Sequence, residues 1–74
     1  MDVRVLVGAN TKRLRRLKGW SQEELAHQSG LHRTYISGVE RGVRNPTVTV
    51  LSQLASALDA SPGEFFKPVS ALKG

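Results

Sequence analysis

Seventy-four residues make one small domain and leave no room for a second core or for the two-lobed cleft that most enzymes use. The chain is 39% apolar, enough to bury a core, and has no cysteine, so without a disulfide or thiolate zinc site core packing, alone or with a partner subunit, must suffice. The formal charge is +5 and the whole excess is local, because eight of the eleven Lys and Arg residues but only three of the six Asp and Glu lie between Lys12 and Arg44. Such a field suits a polyanion, or else is a solvated basic face with no partner. The apolar run Val5-Leu6-Val7 is far short of a membrane span and no stretch resembles a secretory signal. The cytosol is the expected compartment and no membrane is an expected partner.

Glycine and proline divide the chain into five short helical segments. The first, Val3 to Lys18, places Val3, Val7, Leu14 and Leu17 on one side at helical spacing. Gly19 stands where a helix end takes a left-handed residue, and basic residues fill the last turn against the negative end of the helix dipole. The second opens with Ser21-Gln22-Glu23-Glu24, a capping box, with Trp20 and Leu25 in the positions of a hydrophobic staple. Small Ala26, Gly30 at a tight turn, and apolar Leu25, Leu31, Ile36 and Val39 specify two short helices meeting at a steep angle, the second ending at Gly42. A fourth helix follows Asn45-Pro46 with Val48, Leu51, Leu54, Ala55 and Leu58 as its stripe. Ser61-Pro62-Gly63-Glu64 repeats the capping box at the start of a fifth, with Ala60 and Phe65 as its staple. Apolar and polar residues alternate nowhere except at Val48 to Leu51, so the expected fold class is all-α, a five-helix domain. Adjacent Phe65 and Phe66 cannot both be buried equally by one helix face, so one is expected to meet another subunit. Val69 and Leu72 either extend that contact or lie in a solvated tail.

Several pieces of this chain occur together in one known family. Leu14-Arg15, Gly19-Trp20-Ser21-Gln22-Glu23-Glu24-Leu25-Ala26, Tyr35-Ile36-Ser37, Glu40-Arg41-Gly42, Pro46-Thr47 and Leu54-Ala55-Ser56-Ala57-Leu58 resemble the DNA-binding domains of the phage repressor and Cro type (XRE-like). The likeness covers about Val7 to Phe66. It implies a single domain over residues 1–74, with its core at about 7–66 and the helix-turn-helix at about 21–41. The run Arg33-Thr34-Tyr35-Ile36-Ser37-Gly38-Val39-Glu40-Arg41-Gly42 is also similar to the small controller proteins of restriction-modification systems.

Helical geometry reads the third helix without the family. At 100° per residue, with Ile36 and Val39 inward, its outward face holds Thr34, Ser37, Gly38 and Arg41, flanked by Arg33 and Tyr35. A helix in the major groove reads bases mainly with its first turns, which selects Arg33, Thr34 and Tyr35. Arg33 can pair two donors with guanine O6 and N7, and Thr34 and the Tyr35 ring can meet a thymine methyl. The plainer roles are a surface ion pair for Arg33 and packing on the second helix for Tyr35. Gln22 starts a helix whose backbone amides favour a phosphate, and the resemblance implies that its side chain anchors the DNA backbone. The resemblance likewise assigns phosphate contacts to Ser37, Arg41, Arg44 and Asn45, each of which can also be solvated surface. It further pairs Arg15 with Glu40 in a partly buried ion pair between the first and third helices. Gly38 lacks a side chain where some relatives carry a base-reading one, which either lets the groove come close or leaves that position unread. Thr11 stands in a usually aliphatic place, and His32 where a better cap is common.

His27 and His32 have no cysteine or carboxylate pair beside them to complete a metal site, and the basic run from Lys12 to Lys18 can be a solvated helix face. No serine has a base and orienting acid at recognisable spacing, and no glycine-rich phosphate loop follows a strand. The sequence therefore reads as a non-enzymatic regulator of transcription without cofactor, metal or small-molecule ligand. Its expected partners are double-stranded DNA, in the form of a palindromic operator, and a second copy of itself. The alternatives are a protein-interaction module, such as an antitoxin or adaptor, and non-specific nucleic-acid binding. A polar, basic third helix favours DNA over protein, and exposed aromatic pairs for single strands are missing.

Overall fold

Three of the four α-helices among the described residues begin where a side chain satisfies one of the first backbone donors. The computed structural model describes residues 2–68. Within them α1 spans Val3–Leu17, α2 Gln22–Ser29, α3 Arg33–Glu40 and α4 Val48–Leu58, followed by a 3₁₀ helix at Pro62–Phe66. Asp2 caps α1 by accepting from the Arg4 N–H at 2.9 Å, Ser21 caps α2 from Glu24 at 3.0 Å, and Thr47 caps α4 from Val50 at 3.1 Å. His32 offers α3 no such bond. The capping box at Ser21 is half closed: the Glu24 carboxylate accepts from Gln28 Nε2 at 2.8 Å, one turn along α2, in place of reaching back to the Ser21 N–H.

The core is Val7, Leu14, Leu25, Ala26, Ile36, Val39, Leu54, Ala55, Leu58 and Phe65, with Trp20, Leu31, Tyr35 and Leu51 packed against it. α1 lies against α3 and the 3₁₀ helix, and α2 against α3 and α4. The apolar stripes are shorter than their spacing suggests. Val3, Leu17 and Val48 are 50%, 75% and 84% exposed, because each is the first or last residue of its helix and extends past the neighbours that cover the middle. The buried face of α1 is instead carried by Val7, Gly8, Asn10, Thr11, Leu14 and Arg15. Thr11 fits this face because its hydroxyl donates to the Val7 carbonyl at 2.8 Å, which satisfies it inside the core.

The fifth predicted helix is a 3₁₀ helix of five residues. Its capping box does not form: Ser61 makes no side-chain cap bond, and the Glu64 carboxylate is taken by Lys67 and by Arg13, each at 3.3 Å. Those two cations, Lys67 first, hold the Glu64 carboxyl below the usual glutamate range. Asn10, fully buried, aims its amide at the carbonyls of Phe65 and Lys67, both at 2.9 Å, and at Leu6 at 3.1 Å. Its oxygen accepts from Arg13 Nε at 3.2 Å, so one buried amide fastens the 3₁₀ segment to α1. Phe65 is consequently fully buried and Phe66 is 46% exposed, the division expected of adjacent phenylalanines. The positions expected to continue that surface, Val69 and Leu72, lie outside the described residues.

Gly8 sets how closely α1 approaches α3. A methyl group there would overlap the backbone carbonyl oxygen of Val39 and come within 2.8 Å of that of Glu40, neither of which can turn aside as a flexible side chain does. Gly8→Ala is expected to destabilise the fold by about 1–3 kcal/mol despite alanine's better helix propensity. Differential scanning calorimetry would read this as a fall in the melting midpoint of roughly 4–20 °C.

Candidate nucleic-acid interface

The turn between α2 and α3 is closed by Gly30 in the left-handed region (φ 74°), and the N–H of Leu31 returns to the Ala26 carbonyl at 3.1 Å. A side chain at that φ is strained, so glycine is what allows α3 to start three residues later, at Arg33. Ile36 and Val39 are then fully buried beneath α3, and Arg33, Thr34 and Arg41 are exposed on its other side. Ser37 is half-buried on that outer side. Tyr35 is also half-buried and packs against the core, so the ring serves as a flank of the helix as well as part of its outer surface.

α3 is tied to the rest of the molecule through Glu40. Arg15 of α1 donates to it twice, Nε to Oε2 at 2.7 Å and an η nitrogen to Oε1 at 3.0 Å, while its other η nitrogen donates to the Trp20 carbonyl at 2.7 Å. The two side chains are 11% and 3% exposed. Hydrogen bonding to Glu40 raises the pKa of an already basic Arg15. Gln22 Nε2 donates to the same Glu40 Oε1 at 3.1 Å. A carboxamide has two N–H donors, so this bond orients Gln22 and leaves the second for another acceptor. Gln22 and Arg33 line one shallow cleft together with Arg15, Ser21 and Glu23.

Beyond α3 the chain folds back on it. The N–H groups of Val43 and Arg44 both point at the Gly38 carbonyl, at 3.0 and 3.2 Å. The aliphatic stem of Arg44 crosses the Gly38 Cα on the outer side of the helix, which is why Gly38 is buried on a face otherwise open to solvent. Asn45 is exposed but borders a different hollow, with Val3, Val7, Pro46, Leu51 and Phe66, beside α1 and α4. The structure thus brings Gln22 to Arg33, and Arg44 to α3, while Asn45, next to Arg44 in the chain, lines the hollow beside α1 and α4.

The basic stretch divides by role. Arg13 and Arg15 are consumed inside the fold, and Lys18 lies 3.9 Å from Asp59 and 5.6 Å above the Trp20 ring. Arg33 and Arg44 have no ion pair among the described residues. Sequence reasoning passed over Gly8 and Asn10, and read Arg13 only as part of a basic run that can be a solvated helix face, whereas it bonds to Glu64. A glycine and an asparagine inside a helix, both poor helix formers, were the signal that tertiary contacts hold them there.

A helix-turn-helix with a polar, cationic outer face on its second helix defines the class of this domain. The Helix-turn-helix family model, HTH_3, matches residues 12–65, and the chain belongs to that family. An uncharacterized HTH-type transcriptional regulator of Sinorhizobium fredii, y4dJ, is 53% identical over 68 residues, 92% of this chain and 88% of its own. The restriction-modification controller protein C.AhdI from Aeromonas hydrophila has a TM-score of 0.82 at 49% identity, over 85% of this chain and 96% of that one. The controller protein C.Esp1396I, solved as a tetramer with its natural 35 base-pair operator, has a TM-score of 0.81 at 40% identity, over 90% of this chain and 88% of that one.

If the Glu40 cluster places α3, losing one partner is worse than losing both. Arg15→Met strands the Glu40 charge and is expected to cost about 3–5 kcal/mol, whereas Arg15→Met combined with Glu40→Leu costs much less. Urea denaturation of the three proteins measures this, and equal losses in the single and double variants would refute it.

Proposed function

We propose that this chain is a sequence-specific double-stranded DNA-binding regulator of transcription that acts as a homodimer on a palindromic operator. The observation that carries the reading is the two-sidedness of α3: Ile36 and Val39 fully buried, Arg33, Thr34 and Arg41 exposed. A helix held this way presents its first turn to base edges in a major groove. Arg33 and Thr34 are the base readers, with Tyr35 beside them. Gln22, Ser37, Arg41, Arg44 and Asn45 contact phosphates on either side and set the register. The operator-bound C.Esp1396I tetramer supports operator DNA as the ligand and an oligomer as the binding form. Exposed Val3 and Phe66, which border one hollow with Leu51, support a second copy of the chain as the apolar partner. No helix among the described residues is long and apolar enough to cross a membrane. A single-domain regulator of this kind works in the cytoplasm without cofactor or catalytic chemistry.

Gel-shift selection from random duplexes tests the reading: an inverted repeat should be recovered, and equal retention of all sequences would overturn it. Arg33→Ala is expected to cost about 1–3 kcal/mol of binding and to relax preference at one base pair in each half-site. Uniform weakening on every sequence would remove Arg33 from base readout. Arg44→Ala should weaken all duplexes and make the salt dependence shallower by about 1 per subunit. Titrations at several salt concentrations measure this, and an unchanged slope would remove Arg44 from the phosphate contacts.

A further inference from the structure

Position 38 poses a question that the outer face of α3 does not answer by itself. It lies in the middle of the helix, on the side turned away from the core residues Ile36 and Val39, and yet it is buried. Glycine there costs helix stability relative to alanine, so something must offset that cost. The atoms nearest to it all belong to one side chain, since a Cβ at position 38 would stand 2.6 Å from Arg44 Cγ, 3.4 Å from Nε and 3.5 Å from Cδ. Cγ is the second carbon of the arginine stem and cannot be displaced by a small movement at the tip. The backbone of Arg44 is also held, through its N–H and that of Val43, on the Gly38 carbonyl. Relief of the overlap therefore requires the stem to leave the helix surface by rotation near its base.

We propose that Gly38 is a positioning residue for Arg44. The missing side chain forms a seat in which the arginine stem lies flat across α3, so that a residue from the following loop occupies the place on the outer face that a side chain at position 38 would fill. The seat restricts the rotamers of a long, flexible side chain before DNA arrives, and so reduces the ordering cost of its phosphate contact. Gly38 is thus neither an unread position nor a gap left for close approach of the groove. The inference rests on the DNA-binding reading of Arg44 given above.

A double-mutant cycle on the full chain decides it. Gly38→Ala, Arg44→Ala and the double variant are titrated with the selected operator duplex at several salt concentrations, and their melting midpoints are recorded. Arg44→Ala should lower affinity by about tenfold or more. Gly38→Ala should reproduce most of that loss, together with the shallower salt slope, although it removes no charge. In the Arg44→Ala background the added methyl meets no stem. There it should change affinity by no more than about twofold and raise the midpoint by about 2–8 °C through better helix propensity. Wild-type affinity in Gly38→Ala, or the same loss from it in both backgrounds, would overturn the seat. If Gly38→Ala alone does not fold, the double variant still decides: folding and binding like Arg44→Ala supports the proposal, and failure to fold overturns it. Should Arg44→Ala itself bind as the wild type does, the DNA-binding reading of Arg44 fails, and the proposal fails with it.

Discussion

The placement of an eight-residue helix is the constraint on which the rest of this molecule depends. Alone, a segment as short as α3 would not hold a helical conformation in water, and it begins without a side-chain cap. It is held from beneath by Ile36 and Val39 in the core, and from the side by α1. There the missing side chain of Gly8 lets the two backbones come close at Val39 and Glu40. At its end Glu40 accepts from Arg15 and Gln22 together. One carboxylate thereby links three helices, and the outer face of α3 inherits a fixed orientation from contacts on its inner face.

Electrostatics follow from the same packing. A count of charges along the chain treats the basic residues between Lys12 and Arg44 as one field, but the fold separates them. Arg13 and Arg15 lie among carbonyls and carboxylates that join α1 to the 3₁₀ helix and to α3. Arg33, Arg41 and Arg44 stay exposed on or beside α3. Structural arginines are at least partly buried and hydrogen-bonded, which makes them less sensitive to salt. An exposed cation that meets a phosphate releases counterions, and such binding is strongly salt-dependent.

Local patterns reported the elements well where backbone chemistry decides the outcome. The cap at Ser21, the left-handed Gly19 and Gly30, and inward Ile36 and Val39 were all readable, because each depends on residues a few positions apart. Patterns misreported where a distant group competes. Ser61 and Glu64 carry the signature of a helix start, but Ser61 makes no cap bond, Glu64 pairs with Arg13, more than fifty residues away in sequence, and with nearby Lys67, and the segment is a 3₁₀ helix of five residues. The outer face of α3 was legible as a set of residues, whereas the burial of Gly38 under Arg44 was not, since it needs the loop to fold back across the helix.

Sequence alone was enough to establish an all-helical chain, the residues that start and stop most of its helices, and the polar character of α3's outer side, for these are properties of neighbours along the backbone. The tertiary structure decided which arginines face inward, how Gln22 is oriented, which phenylalanine is buried, and what covers Gly38. Those outcomes turn on which of several possible partners lies within about 3 Å, and residues far apart in the chain acquire that distance only when the helices pack.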